Sequence, residues 1–113
     1  MPFIEAKLTQ KLSDARKDEL KTAIGACMAV IGKPEAYTMI GIQDGYTLYF
    51  AGQRLENGAY VAVDILGANN PHNSAEFTRR ICEVLTAQLG IPGNNIYVEY
   101  RHTEDWGWNG TNF

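Results

Sequence analysis

The two halves of this 113-residue chain follow the same order of predicted elements. Each half has a strand, a helix and a second strand, and each helix ends at a Gly-X-Pro sequence, Gly32-Lys33-Pro34 and Gly90-Ile91-Pro92. Glycine can close a helix in the left-handed conformation, and a following proline prevents the helix from continuing. A β-α-β unit that occurs twice predicts an α/β (α+β) fold with a four-stranded mixed sheet and both helices on one face. The length fits a single domain over residues 1–113.

The first half predicts a strand followed by an amphipathic helix. Residues 3–8 alternate in the manner of a half-buried strand, and Ser13 is a suitable N-cap for a helix over residues 14–31. The apolar positions of this helix recur at steps of four, three and four, which gives a single apolar stripe. This stripe consists of Leu20, Ile24, Cys27 and Ile31.

The segment after the first helix predicts two more strands. Residues 37–42 form the first, and Asp44-Gly45 predicts a hairpin turn into a second strand over residues 46–50. Two helices can cover only one side of the sheet. We therefore expect the other side to expose apolar residues that partner subunits bury, which predicts an oligomer.

The second half repeats the pattern. Residues 60–66 are almost continuously apolar, as expected for a central strand. Asn73 followed by Glu76 resembles a capping box that opens a helix ending near Leu89, and residues 96–100 form the last strand. The inner face of this helix is predicted to carry Phe77, Ile81, Val84, Leu85 and Gln88.

Composition and charge exclude several classes of function. The net charge is −3 and no run of Lys or Arg occurs, so a nucleic-acid-binding surface is not expected. The longest apolar stretch, residues 26–31, is too short to span a membrane. Cys27 and Cys82 are expected to be buried thiols rather than a disulfide. The first residues lack the pattern of a signal peptide, so we expect a cytoplasmic protein.

Pro2 follows the initiator methionine directly. If Met1 is removed, the nitrogen of Pro2 becomes a secondary amine, which is a base held in a rigid ring. A retained Met1 would acylate this nitrogen and abolish its basicity. Because a small second residue normally permits removal of the methionine, we expect the chain to begin at Pro2 in the cell.

Further motifs occur in a specific order over nearly the whole chain. They are Pro2-Phe3, Gly32-Lys33-Pro34 with Tyr37, Asp64-Ile65, Asn73-Ser74, residues 96–100 and Trp106-Gly107-Trp108-Asn109-Gly110. Together they resemble the tautomerase superfamily and, within it, the macrophage migration inhibitory factor family. The resemblance implies a homotrimer of two β-α-β units with three active sites at subunit interfaces and no cofactor. It also implies an isomerase that ketonises or enolises phenylpyruvate-type and dopachrome-type substrates.

The resemblance also implies roles for individual residues. Pro2 would be the general base, and Lys33 with the backbone N–H of Ile65 would hold the substrate carboxylate. Tyr97 would enter the site from the neighbouring subunit. An aromatic slot would be lined by Tyr37, Trp106, Trp108 and Phe113.

Other interpretations of these residues stay open from the sequence alone. A lysine at a helix C-terminus, such as Lys33, also complements the helix dipole. Tyr97 is equally a core tyrosine, and Trp108 and Phe113 can also pack against a partner subunit. The same trimer could be a cytokine-like protein that binds a receptor, is released without a signal peptide and retains only vestigial catalysis.

Some positions depart from the pattern of the family. Residues 58–62 lack the CxxC segment of animal members, so thiol oxidoreductase activity is not expected. Glu99 stands where asparagine is common, and we expect it to be turned away from Pro2 or solvated. Trp106 occupies a position that is more often aliphatic. No arginine is expected in the site, and neither His72 nor His102 has ligand partners at the spacing of a metal site.

Overall fold

The computed structural model describes residues 1–113, which form two helices and eight strands. The elements are β1 (Pro2–Leu8), α1 (Asp14–Cys27), β2 (Met39–Gln43), β3 (Tyr49–Phe50), β4 (Gln53–Arg54), β5 (Ala59–Leu66), α2 (Pro71–Leu89), β6 (Ile96–Thr103), β7 (Gly107–Trp108) and β8 (Thr111–Asn112). Short 3-10 helices cover Met28–Ile31, Glu35–Tyr37 and Gly93–Asn95. Neither α-helix combines the length and the apolar character needed to cross a lipid bilayer.

The main sheet has four strands in the order β2-β1-β5-β6. Strand β1 runs parallel to β2, and β5 runs parallel to β6, whereas the central pair β1 and β5 is antiparallel. Each parallel pair belongs to one half of the chain and is joined through one helix, as a β-α-β unit requires. The mixed four-stranded sheet and the repeat of two such units are therefore confirmed.

The core lies between one face of this sheet and the two helices. Alternate residues of β1 and β5 point into it, and both predicted helical stripes are packed against them. Burial of large aliphatic side chains contributes about 1.5–3 kcal/mol each, so this layer supplies most of the stability. Its fully buried members include Ile4, Leu8, Leu20, Ile24, Val61, Val63, Phe77, Ile81 and Leu85.

Both cysteines are free thiols on the helices. Cys27 is buried and Cys82 is half-buried. Burial raises the pKa of both thiols, which disfavours the reactive thiolate.

The helix ends follow the predicted chemistry with one exception. The hydroxyl of Ser13 accepts a hydrogen bond from the Arg16 N–H, and Gly32 and Gly90 close their helices with a φ of 66° each. Asn70, and not Asn73, caps α2, because its side chain accepts a hydrogen bond from the Asn73 N–H. The cap lies three residues earlier because Pro71, with its fixed φ, is suited to the first helical position.

The predicted hairpin at Asp44-Gly45 is wrong. The Gly45 N–H donates to Gln10 O at 2.9 Å and the Tyr46 N–H donates to Leu8 O at 2.8 Å, so this segment folds against the end of β1. A hairpin forms later, between β3 and β4, where Ala51 and Gly52 have positive φ values of 52° and 78°.

The face of the sheet opposite the helices exposes apolar side chains, Met39 of β2 and Tyr97 of β6 among them, as the sequence predicts, but it carries charged side chains as well. It carries charged side chains because β1 and β6 place one at alternate positions, and Asp64 of β5 adds another. The Arg101 Nε lies 2.9 Å from Asp64 Oδ1 and 3.4 Å from Glu99 Oε1. Such partly exposed ion pairs stabilise the fold little, but they determine the chemistry of this face.

The exposed apolar side chains are concentrated at the two ends of the sheet. One group is near the start of β1 and consists of Tyr37, Met39, Trp108 and Phe113. The other group is near the start of β6 and consists of Tyr49, Phe50 and Tyr97. Exposed apolar patches of this kind mark sites of ligand or subunit contact.

Candidate active site

A cleft of about 750 Å³ opens at the end of the sheet where β1 begins. Its walls come from the first residues of the chain, the segment before β2, the ends of β5 and β6, and the tail after β6. One wall is aromatic, whereas another carries ionisable side chains. The lining includes Met1, Pro2, Phe3, Tyr37, Asp64, Arg101, His102, Asp105, Trp106 and Trp108.

Pro2 lies at the inner end of the cleft, opposite Ile65 in the antiparallel pairing. Met1 precedes it, and the Leu66 N–H donates to Met1 O at 3.0 Å. Burial lowers the pKa of the Met1 α-amino group, and the positive charge of Lys33 lowers it further. The Met1 amino group is therefore less protonated at neutral pH than an exposed chain terminus.

Lys33 reaches this region from the end of the first helical segment. Gly32 turns the backbone in the left-handed conformation, and the Lys33 N–H then donates to Met28 O at 3.2 Å. The ammonium group donates to Leu66 O at 3.4 Å. The side chain is thus directed towards the start of β1. A favourable contact with the helix dipole alone would not require this direction.

Three of the predicted aromatic residues form one packed group. The rings of Tyr37 and Trp108 meet edge to face with centroids 6.4 Å apart, and Phe113 stacks on Trp108 at 6.4 Å. The Phe113 N–H donates to Trp106 O at 3.0 Å. Tyr37, Trp106 and Trp108 line the cleft directly, whereas Phe113 supports Trp108.

A tight hairpin holds this tail. Strands β7 and β8 pair across Asn109 and Gly110, whose φ values are 53° and 80°. Two successive positive φ values favour the Asn-Gly sequence because other residues are strained there. The turn therefore sets the position of Trp108.

Lys33, Ile65 and Tyr97 lie outside the set of side chains that line the cleft. The Ile65 side chain is only 6% exposed and belongs to the core, so a role for this residue rests on its backbone. Tyr97 is 61% exposed and packs against Phe50, with ring centroids 5.4 Å apart. It lies five positions before His102 on β6, about 16 Å along the strand, too far to reach the cleft of its own chain.

The cleft also contains ionisable residues that the sequence did not indicate. Arg101 and Asp64 face it as an ion pair, with His102 beside them, so the expectation of a site without arginine is wrong. Arg101 is two residues after Glu99 and therefore shares its face of the strand. This spacing is the feature of the sequence that could have indicated Arg101 as a site residue. Their contact depends on the β5–β6 register, which pairs Asp64 with Arg101.

Glu99 points away from the start of β1 in its own chain. Its carboxylate accepts a hydrogen bond from the Tyr60 hydroxyl at 3.1 Å and lies near Arg101. Desolvation raises the pKa of the Tyr60 phenol, and the hydrogen bond and charge of Glu99 raise it further. The phenol therefore stays protonated and available as a donor to Glu99.

The chain resembles known proteins over its whole length. A solved structure of MIF2 from Leishmania major superposes with a TM-score of 0.91 at 37% identity, covering 100% of this chain and 97% of that one. A macrophage migration inhibitory factor homolog from Trichuris trichiura is 30% identical over 115 residues and covers both chains fully.

Two more distant similarities extend over almost the whole chain. A structure described as a "Q0 fused 4-OT wild type symmetric trimer" superposes with a TM-score of 0.86 at 24% identity, covering 97% of this chain and 94% of that one. A protein from Xenopus laevis named D-dopachrome decarboxylase-B is 22% identical, covering 98% of this chain and 96% of its own.

The model of the macrophage migration inhibitory factor family matches residues 1–113. This match spans the two β-α-β units, the cleft at the start of β1 and the aromatic tail. The chain therefore belongs to the macrophage migration inhibitory factor family of the tautomerase superfamily.

Proposed function

We propose that the protein is a cofactor-independent keto–enol tautomerase with the Pro2 nitrogen as its general base. Its substrates are aryl keto acids of the phenylpyruvate type and related dopachrome-type compounds. The family assignment supports the reaction class, and the aromatic wall around Trp108 suits an aryl group. The enzyme would act in the cytoplasm after Met1 is removed.

The single observation that carries the proposal is the environment of the chain terminus. Burial and the Lys33 charge both lower the pKa of the amino group there. A general base works best when its pKa is near the working pH, because an amine accepts a proton only in its neutral form. A free Pro2 amine, one residue further along the chain, would be exposed to the same two effects, and both shift its pKa towards the working pH.

The reaction moves one proton and leaves no other atom displaced. The neutral Pro2 nitrogen takes a proton from the carbon beside the ketone, and the electron pair of that C–H bond forms the enol double bond. The C=O π electrons move to the oxygen, and the protonated Pro2 amine returns its proton to that oxygen, which gives the enol and restores the neutral base. Lys33 and the Ile65 N–H would hold the substrate carboxylate, which orients the reacting carbon toward Pro2.

We further propose that the protein assembles as a homotrimer. The apolar groups at the two ends of the sheet differ, so contact between them is head to tail, and such contacts form a ring when the rotation between copies closes. In that arrangement Tyr97 and Phe50 of one copy cover the cleft of the next. The symmetric trimer described for a protein with the same fold supports this assembly.

The test is a spectrophotometric tautomerase assay with hydroxyphenylpyruvate on the wild type and on Pro2→Gly, with intact mass measured for both. Glycine at position 2 also permits removal of Met1, so the two proteins differ in the amine and not in processing. We expect Pro2→Gly to lose about 10²-fold or more in kcat/KM.

The alternative is a receptor-binding trimer whose residual catalysis has no role. A retained Met1 favours it, because the Met1 carbonyl and the Leu66 N–H then occupy the inner end of the cleft. Equal trace activity in the wild type and Pro2→Gly would support this alternative and contradict the enzyme.

A further inference from the structure

We propose that Asn109 is a site of spontaneous deamidation, and that its conversion to isoaspartate opens the tail hairpin and displaces Trp108 from the wall of the cleft. The modification needs no enzyme, and water is its only co-reactant. Its effect on turnover rests on the tautomerase activity proposed above, whereas the modification itself does not depend on that activity.

The chain contains two Asn-Gly sequences, Asn57-Gly58 and Asn109-Gly110. Asparagine is most reactive when glycine follows it, because glycine has no side chain that hinders attack by its backbone nitrogen. The sequence alone does not distinguish the two pairs. Any difference in their reactivity therefore comes from the fold.

The fold holds the first pair through both of its reacting groups. The Asn57 side-chain nitrogen donates to Gly90 O at 3.0 Å, and its side-chain oxygen accepts from the Gln10 amide at 2.6 Å. The Gly58 N–H, which would supply the nucleophile, donates to the Thr9 hydroxyl at 3.0 Å. Reaction at Asn57 would have to break these hydrogen bonds together, and each of them stabilises the fold.

The second pair lacks such contacts. Asn109 and Gly110 are exposed, and no hydrogen bond within the chain engages the Asn109 side chain or the Gly110 N–H. The Gly110 nitrogen must approach Asn109 Cγ to react, so the turn has to open briefly. Strands β7 and β8 consist of exposed residues outside the core, and segments of this kind open readily.

The reaction balances with water as the only added molecule. A base removes the proton of the Gly110 N–H, and the nitrogen attacks Asn109 Cγ. The bond between Cγ and the side-chain nitrogen breaks, and that nitrogen takes up the proton and leaves as ammonia. Water then opens the resulting succinimide ring. Cleavage of the bond between Cγ and the Gly110 nitrogen gives aspartate, whereas cleavage of the original peptide bond gives isoaspartate.

The two products differ in their effect on the hairpin. Aspartate keeps the length of the backbone and adds a negative charge. Isoaspartate carries the chain through Cγ and so lengthens the backbone by a carbon atom. A tight turn with φ values of 53° and 80° cannot absorb this insertion and keep Trp108 paired with Thr111.

The position of Trp108 depends on this turn. Its ring meets Tyr37 edge to face and stacks on Phe113, with centroids 6.4 Å apart in both pairs. Trp108 precedes the turn and Phe113 follows it, so the stacked pair requires the two strands to stay together. Opening of the hairpin therefore removes an aromatic wall from the cleft and leaves the core intact.

The experiment incubates the native protein at mildly alkaline pH and follows both asparagines by tryptic digestion and mass spectrometry. Asn109 and Asn57 fall in separate tryptic peptides, residues 102–113 and 55–79, so one digest reports both. Deamidation raises the mass by about 1 Da, fragmentation locates the change, and chromatography separates isoaspartate from aspartate. We expect Asn109 to react about 10-fold faster than Asn57 or more, with isoaspartate among its products, because hydrogen bonds hold Asn57.

Two controls accompany the incubation. In urea the contacts that distinguish the pairs are lost, so Asn57 and Asn109 should react at similar rates. Asn109→Gly keeps a residue suited to positive φ and cannot deamidate. After incubation the wild type should show altered tryptophan fluorescence and a several-fold higher KM for an aryl keto acid, whereas Asn109→Gly should show neither change.

The outcomes separate this inference from the proposed function. A rate at Asn109 that is no faster than at Asn57 in the native protein would overturn the inference, as it would if assembly buried the turn. Formation of isoaspartate without a change in fluorescence would also overturn it. Deamidation with the expected fluorescence change, in a protein that never turns over a keto acid, would contradict the proposed function alone.

Discussion

At the scale of single residues, the site depends on how Lys33 and Pro2 are brought together. Lys33 follows the glycine that ends the first helical segment, and Pro2 begins the central strand β1. The cation lies near the amine and also next to a carbonyl, that of Leu66. This arrangement permits one lysine both to lower the pKa of the base and to bind a carboxylate.

Replacing Lys33 by methionine removes its charge and keeps most of its volume. The pKa of the amine should rise, because burial still lowers it but the Coulomb contribution of Lys33 is gone. Since the amine is active only when neutral, the rise of kcat/KM with pH should shift to higher pH. KM for a keto acid should increase about 10-fold from the lost charged contact.

The control for this variant is Lys21→Met, on the exposed side of α1, which should leave the profile unchanged. A Lys33→Met enzyme with the pH profile and KM of the wild type would return Lys33 to the role of a helix-end cation.

At the scale of elements, the site is a product of strand register. Strand β5 brings Asp64 opposite Phe3 on one side and beside Arg101 on the other. A shift of β5 by one residue would turn Asp64 to the other face of the sheet, away from Phe3 and Arg101. The pairing of β1, β5 and β6 therefore sets the positions of these side chains in the cleft.

Gly41→Ala tests the packing between β1 and β2. The new Cβ would stand 3.3 Å from the Phe3 ring, so the ring must move toward the cleft. We expect the free energy of unfolding to fall by about 1 kcal/mol and kcat/KM to fall several-fold. Gly93→Ala is the control, because no atom lies within 4 Å of its new Cβ.

Denaturant unfolding and steady-state kinetics provide the two readouts. Unchanged kinetics in a Gly41→Ala protein that has lost stability would mean that the position of Phe3 does not matter to the substrate.

The tail hairpin offers a second test at this scale. Gly110 has a φ of 80°, which strains any other residue, so Gly110→Ala should loosen β7 and β8. We expect a several-fold increase in KM for an aryl keto acid and a change in tryptophan fluorescence. The melting temperature should change little, because the hairpin lies outside the core. A large loss of stability with unchanged KM would contradict this account.

The sequence predicted the parts of the fold that depend on local pattern. The stripe from Leu20 to Ile31 and the glycine stops follow from periodicity and backbone chemistry, so they were found without a structure. The Arg101–Asp64 pair was not, because it depends on which strands become neighbours. The cap at Asn70 was missed because Asn73 also fits the pattern, and only the hydrogen bond distinguishes them.

At the scale of the whole molecule, the cleft of one chain is incomplete under the proposed assembly. The exposed apolar groups at the two ends of the sheet give a reason for association, because water-exposed apolar surface is buried when copies meet. Tyr97 lies at the end away from Pro2, so it can act only on another copy. An experiment that shows whether Tyr97 of one copy serves Pro2 of another therefore tests both the trimer and the catalytic site.

Mixing two inactive variants tests this sharing of the site. Pro2→Gly lacks the base and Tyr97→Ala lacks the contribution from the neighbour, so each trimer alone should be weakly active. In mixed trimers formed at equal amounts by refolding, about a quarter of the sites would combine an intact Pro2 with an intact Tyr97. Activity should recover to roughly that fraction of the wild type.

Sedimentation of the wild type should give the mass of three chains. No recovery of activity in mixtures whose mass confirms a trimer would contradict a site shared between subunits. A monomeric mass at assay concentration would contradict the assembly itself.

The most direct measurement of the central claim is a ¹⁵N NMR titration of the Pro2 nitrogen in protein whose mass shows that Met1 has been removed. The account predicts a pKa clearly below that of an exposed amino terminus, because burial and Lys33 both disfavour the charged form. It also predicts a higher pKa in Lys33→Met. A titration at the ordinary alkaline value of an exposed proline amine, unchanged in Lys33→Met, would contradict the account.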